Sequence, residues 1–197
     1  MSRPENKNRF KSPSYGEISE MLEKNNIICN PMPVKIMPLY VDAKIPQRQH
    51  ATDSGMDLFA YSFDKLYTKD GSSESIPTRI NQDGKVEISL SPLDRVLVNT
   101  GISATVGFGY EIQIRPRSGL ALKRGLTVLN TPGTVDEAYR GPIKVILVNL
   151  SNQEQTIAIE DRIAQMVVAP VILSSIEVVK SLDDTARGDG GFGHTGV

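Results

Sequence analysis

The chain has 197 residues, enough for one domain with a substantial core. Lysine plus arginine total 22 and aspartate plus glutamate 23, so the net charge is −1, which argues against a strongly basic nucleic-acid binder. One cysteine and two histidines exclude an internal disulfide scaffold and a typical Cys/His zinc site, and no apolar run approaches membrane-spanning length.

Residues 1–31 read as a polar arm with Pro4, Pro13 and Pro31, and with a short helix predicted within Ser19–Ile28. The N-terminus lacks a signal-peptide core, so a soluble cytoplasmic protein is expected. A β-rich domain is predicted over residues 32–180. Val34–Leu39 is a first strand, broken by Pro38 as at a sheet edge. Met56, Leu58 and Ala60 then alternate with Asp57 and Phe59. Residues 63–84 are polar, with Asp70-Gly71 and Asp83-Gly84 turn signals, and predict an inserted long hairpin or surface loop. Such a segment is either a solvated excursion or a partner-binding loop.

Further strands are predicted at Val86–Leu90, Arg95–Asn99, Tyr110–Arg115, Lys144–Leu150, Thr156–Ile159, Ile163–Leu173 and Ile176–Lys180. Their β-branched residues and period of two favour an all-β sandwich or barrel. Residues 181–197 form a glycine-rich tail, expected to be flexible without a ligand. The 16 glycines are clustered, seven of them between Gly101 and Gly141 and five between Gly188 and Gly196. Such clusters mark sharp bends or backbone that approaches something closely.

Four stretches could carry chemistry. Arg115-Pro116-Arg117-Ser118-Gly119-Leu120-Ala121 follows a strand and ends in a turn. It is either solvated surface or a phosphate site made of a guanidinium fork, a hydroxyl and backbone N–H groups. Asn130-Thr131-Pro132-Gly133-Thr134-Val135-Asp136-Glu137-Ala138-Tyr139-Arg140-Gly141 brackets an Asn, an Asp and a Tyr between turns. Asn130 has a donor and an acceptor for a base edge, Asp136 could orient a water, and Tyr139 offers a face for stacking. An Asx turn with a core tyrosine is the blander account.

Arg162 and Gln165 sit three apart in an apolar run, which places them on opposite faces of a regular strand. The tail combines Arg187, Phe192, His194 and Thr195 with glycines, and reads either as a frayed end or as a flap that closes over an anion. No P-loop, HExxH, CxxC or GxSxG motif is present.

Five segments in order, ATDSGMDL at 51–58, RPRSGLA at 115–121, NTPGTVDEAYRG at 130–141, DRIAQMV at 161–167 and RGDGGFGHTG at 187–196, resemble the trimeric-type dUTPases, particularly the bacterial form. The resemblance covers about residues 32–197. It implies a jelly-roll-like β-clip fold, a homotrimer with active sites shared between subunits, and a C-terminal lid. It also implies Mg²⁺-dependent hydrolysis of dUTP to dUMP and pyrophosphate, which limits uracil in DNA and supplies dUMP for dTMP synthesis. Neither stable nucleic-acid binding nor membrane attachment is expected.

By that resemblance, Asp136 orients the attacking water, and Asn130, Gly133, Thr134 and Val135 belong to the uracil pocket. Tyr139 packs against the deoxyribose. Arg117, Ser118, Gly119 and Gln165 face phosphates. Arg187, Phe192, Gly193, His194 and Thr195 close the site, and Asp57 reaches the metal through water.

Three positions depart from the family pattern. Ala138 stands where a second Asp is frequent, Pro142 replaces a frequent Glu, and His194 replaces a usual Ser. Two competing functions are a dCTP deaminase of the same superfamily and a nucleotide-sensing protein without catalysis. The uracil-type turn and the full glycine tail argue against the deaminase.

Overall fold

A computed structural model describes residues 33–191, together with 16, 17, 20 and 24. Glu20 and Lys24 have helical backbone, inside the stretch predicted as a short helix. Among residues 33–191 there are fourteen strands and one helix. The strands are β1 (Lys35–Pro38), β2 (Met56–Phe59), β3 (Ser62–Tyr67), β4 (Ser73–Glu74), β5 (Thr78–Ile80), β6 (Val86–Leu90) and β7 (Arg95–Asn99). They continue with β8 (Ile102–Thr105), β9 (Tyr110–Arg115), β10 (Leu126–Val128), β11 (Gly133–Val135), β12 (Lys144–Asn149), β13 (Gln155–Ala158) and β14 (Arg162–Pro170). The helix α1 is Ser118–Arg124.

All pairings are antiparallel. The sheets run β10-β12-β7-β3-β4, β11-β9-β14-β2, β13-β6-β5 and β1-β8. Alternation builds the core. Ile112 and Ile114 of β9, Val96 and Val98 of β7 and Val145 and Leu147 of β12 turn inward together with Leu58, Ile88, Ile102 and Met166. Burying each such side chain contributes about 1.5–3 kcal/mol.

One polar residue sits in that core without penalty. Asn149 is fully buried, yet its amide donates to the carbonyls of Leu90 (2.9 Å) and Gln153 (2.8 Å) and its oxygen accepts from Ser151. It ties the end of β12 to the β6 strand and to the next turn. Asn149→Ala orphans buried carbonyls and is expected to cost about 1–3 kcal/mol, readable as a lower urea midpoint at unchanged slope.

Three expectations change. Residues 63–84 are more than an excursion: β3 lies inside the five-stranded sheet, β4 forms an edge of that sheet, and β5 forms an edge of the three-stranded one. The long apolar run ends as a strand at Pro170. Ile176–Lys180 is no strand here, because no sheet edge of its own chain pairs with it. Instead Ile172, Ile176, Val178 and Leu182 stand at 84–94% exposure along residues 171–182.

Candidate active site

The phosphate-type segments converge on the outer face of the sheet β11-β9-β14-β2. Gln165 of β14 pairs directly with Asp57 of β2 on one side and Arg115 of β9 on the other. Directly paired residues share a face, so the three form a row across the sheet. The opposite face at this point is core, where Ala164 and Met166 are fully buried.

A bulge changes the expected disposition of Arg162. The register shifts between Arg162 and Ala164, making Ile163 the extra residue. Arg162 therefore pairs with Phe59, two residues from Asp57, and joins Gln165 on one face instead of opposing it. Its guanidinium Nη1 reaches Asp57 Oδ2 at 3.2 Å.

Asp57 is the node of this face and is 8% exposed. Arg117 Nε donates to its Oδ1 at 3.0 Å, and Gln49 Nε2 donates to its Oδ2 at 2.9 Å. Arg117 also donates through Nη1 to the Arg162 carbonyl at 3.1 Å. One buried carboxylate thus holds two arginines from distant segments. Gln165 is seated separately, its Nε2 donating to the Pro116 carbonyl at 2.9 Å. Gln113, Arg115, Pro116, Ser118, Thr131, Pro132 and Gln165 line one open groove. Ser118 opens α1, and first-turn N–H groups of a helix have no intrahelical partner. Gly119 follows it in that first turn.

The second group lies on the connection from β10 to β11, on β11 itself and on the turn after it. Exposed Asn130 precedes the Thr131–Pro132 bond, and β11 carries Gly133, Thr134 and Val135. Thr134, Val135, Asp136, Tyr139, Pro142, Ile143 and Lys144 line a second cavity. Asp136 is exposed, and its carbonyl accepts the Tyr139 N–H at 3.1 Å. Tyr139 Oη donates to the Pro142 carbonyl at 3.0 Å. The proline at the unusual position thus supplies the acceptor that orients the tyrosine. Thr105 donates to the Glu137 carbonyl, and the Arg140 guanidinium also bonds to that carbonyl and to the Tyr139 carbonyl. These contacts brace the turn in which Ala138 replaces an acid. The Asp64 carboxylate beside Lys144 holds its ammonium above the usual lysine value.

The structure brings Arg117 to Asp57, Ser118 and Gln165 to one groove, and Asp136 and Tyr139 to a second, separate cavity. Arg187 lines neither. It lies in an exposed turn, with Nε donating to the Gly190 carbonyl at 2.8 Å. Phe192, Gly193, His194 and Thr195 lie outside the described residues. Sequence reasoning missed Gln49, Thr105 and Lys144. Nothing local marks Gln49 or Thr105; Lys144 opens an evident strand, but its sheet neighbours are set by topology.

The dUTPase family profile matches residues 85–196, over half of the chain. The chain belongs to the dUTPase family. This dUTPase chain is 55% identical over 132 residues to the deoxyuridine 5'-triphosphate nucleotidohydrolase of Ehrlichia canis, covering 66% of this chain and 84% of that protein. It is 44% identical over 165 residues to the enzyme of the same name from Nautilia profundicola, covering 84% and 99%. Among solved structures, a Staphylococcus bacteriophage 80alpha dUTPase with dUpNHpp overlays with a TM-score of 0.66 at 21% identity, over 84% of this chain and 99% of that one. A phage phi11 dUTPase overlays at a TM-score of 0.59 and 18% identity, over 77% of this chain and 99% of that one. These two share the dUTPase fold. Among the described residues, no helix is long and apolar enough to cross a membrane.

Proposed function

We propose that this chain hydrolyses dUTP to dUMP and pyrophosphate, at sites shared between copies of itself. The observation that carries the proposal is the Asp57 node. It presents two arginines beside Ser118 and Gln165 at one sheet face, next to β11 and the turn after it, which carries Asp136 and Tyr139.

The nucleoside end belongs to this 130–139 segment. Asn130 and the backbone of Gly133, Thr134 and Val135 read the uracil edge. Cytosine reverses one pair of hydrogen-bond groups and leaves buried partners unmet, at about 1–3 kcal/mol each. Tyr139 packs against the deoxyribose and leaves no room for a 2′-hydroxyl. Asp136 accepts a hydrogen bond from a water, directs its lone pair at the α-phosphorus and takes its proton as the new P–O bond forms. The bond to the bridging oxygen breaks and pyrophosphate leaves. Arg117, Ser118, Gly119 and Gln165 hold the phosphate oxygens, where their donors stabilise the developing charge.

Asp57 fits a metal held indirectly. Among the described residues, no group of three or more His, Cys, Asp or Glu could hold an ion. Mg²⁺ keeps several waters and takes phosphate oxygens readily, so it needs no such cage. A carboxylate has about four lone-pair sites, and Asp57 uses three on Arg117, Arg162 and Gln49. The fourth, on Oδ1, can accept a metal-bound water. When bound, Mg²⁺ offsets about two of the roughly four triphosphate charges and fixes the chain's geometry. A phage phi11 dUTPase of the same fold coordinates a structural Mg(II) ion.

The assembly is a homotrimer, for two reasons. The two concavities are separate within one chain. The aliphatic residues of 171–182 are also exposed to a degree that a lone soluble chain rarely shows. Those residues pack on a neighbour and deliver Arg187, Phe192, Gly193, His194 and Thr195 to its site. The body is residues 32–180 and the lid 181–197. The enzyme works in the cytoplasm, lowers uracil incorporation into DNA and supplies dUMP for dTMP synthesis.

The test is a nucleotide panel assayed for pyrophosphate with and without Mg²⁺. The expected result is metal-dependent release from dUTP and far weaker release from dCTP, dTTP and UTP. Ammonia release from dCTP, or tight dUTP binding without pyrophosphate, overturns the proposal. Molar mass in solution tests the trimer.

A close approach at Gly55 gives a further prediction. A Cβ built there comes within 3.0 Å of Gln165 Cδ and 3.3 Å of its Cβ. Gly55→Ala therefore pushes Gln165 off its seat against Pro116. Losing one phosphate contact is expected to raise KM for dUTP about 10-fold, with a smaller fall in kcat, in steady-state pyrophosphate assays.

A further inference from the structure

The segment 63–84 supplies one residue that the reaction described above does not use. The register of β3 against β7 shifts between Phe63 and Lys65, so Asp64 is an extra residue without a partner on β7. Bulges recur where a side chain must be re-aimed. Asp64 reaches across β7, and its Oδ2 lies 2.6 Å from Nζ of Lys144, the first residue of β12. The pair is partly sheltered, at 24% and 35% side-chain exposure.

Lys144 lines the same cavity as Asp136 and Tyr139. The entrance to β12 is also what holds the tyrosine. Tyr139 Oη bonds to the Pro142 carbonyl, and the ring lies so close to Gly141 that a Cβ there would be 2.7 Å from Cζ. Ile143 is pinned by backbone: its carbonyl accepts from Thr100, and its N–H donates to Ile102 at 2.8 Å. Lys144, next in line, is fastened by its side chain to Asp64. The Asp64 carboxylate is the principal cause that raises the lysine's pKa above its ordinary value, with Tyr139 and Tyr40 minor ones.

We propose that the Asp64–Lys144 ion pair is a positioning element of the nucleoside pocket, holding the 141–144 segment against which Tyr139 is set and so sharpening selection of deoxyribose over ribose. The proposal rests on Tyr139 being the residue that contacts the sugar. It gives part of 63–84 a task in specificity, carried by one residue of a bulge. Lys144 and Asp64 touch no reacting atom in this account and act through the tyrosine.

The discriminating readout is the ratio of kcat/KM for dUTP to that for UTP. A loss confined to folding lowers both substrates alike and leaves the ratio in place. Asp64→Asn and Lys144→Met are each expected to lower the ratio about 3- to 5-fold, the scale of a partly exposed ion pair. Lys144→Arg, which keeps the charge, is expected to stay near the parent ratio and serves if Lys144→Met folds poorly. The charge-reversed double variant, Asp64→Lys with Lys144→Asp, is expected to recover most of the loss. Tyr139→Ala is run beside them. An unchanged ratio in the Asp64 and Lys144 variants, with a reduced ratio in Tyr139→Ala, overturns the positioning proposal and leaves the tyrosine's role standing. An unchanged ratio in all of them overturns both. A lowered ratio in each single variant with no recovery in the reversed pair also overturns the ion-pair account.

Discussion

Asp136→Asn is expected to lower kcat for dUTP by about 10²–10⁴-fold, the range that a positioned general base contributes. The substitution keeps size and shape and removes the capacity to take a proton. Asp136 is exposed on the turn after β11 and makes no ion pair among the described residues. Folding stability should therefore move by less than about 0.5 kcal/mol. Affinity for a non-hydrolysable dUTP analogue should change little, since in the proposed mechanism the carboxylate addresses water and not the nucleotide. The neighbouring Glu137 carboxylate lies 3.7 Å from the Arg140 guanidinium. Ala138 has no acid to offer. Rapid-quench measurement of pyrophosphate separates chemistry from release. Turnover within a few-fold of the parent would remove Asp136 from the base role.

Deleting residues 187–197 should lower kcat/KM by about 10²-fold or more and leave the melting temperature within a few degrees. The described part of this tail bonds only to itself. Arg187 bonds to Gly190 through its guanidinium, Gly188 N–H to Thr185, and Gly190 N–H to the Arg187 carbonyl. None of these bonds reaches the core. Ordering a glycine-rich flap costs about 1–2 kcal/mol per residue, so its closure depends on bonds to a ligand's phosphates. Arg187→Ala alone should reproduce much of the loss and weaken its salt dependence. An undiminished kcat/KM in the truncated protein would refute the lid.

Much of this was legible in the sequence, for particular reasons. Val86–Leu90, Arg95–Asn99 and Tyr110–Arg115 appear as strands with those same bounds, because alternating β-branched residues report a half-buried surface directly. β8 escaped notice because Ser103 and Ala104 carry little strand signal, although both are buried against neighbours. β10 and β11 have three residues each and are defined by their partners, which local propensity does not see. Ile176–Lys180 shows the converse: strand-like composition with no edge to join in its own chain.

For the site, residue types were readable and pairings were not. Asp57 is visible from its alternating neighbours, but its ties to Arg117 and Arg162 span 60 and 105 positions. Gln49 and Thr105 act through one hydrogen bond each on a site residue or its turn. Neither leaves a pattern in the chain.

The bulge at Ile163 carries a consequence for how this chain can change. Side-chain direction along a strand is a matter of parity, and one surplus residue switches odd to even. Drawing Ile163 into register as a paired residue would give β14 an unbroken ladder with β2, the kind of regularity that idealised sheets seek. It would also turn Arg162 to the core side and strip Asp57 of one of its two cations. Regularity and catalytic competence pull in opposite directions at this single position. A substitution that lets position 163 take a partner on β2 should therefore cost Asp57 its bond to Arg162 while every residue of the node is unchanged.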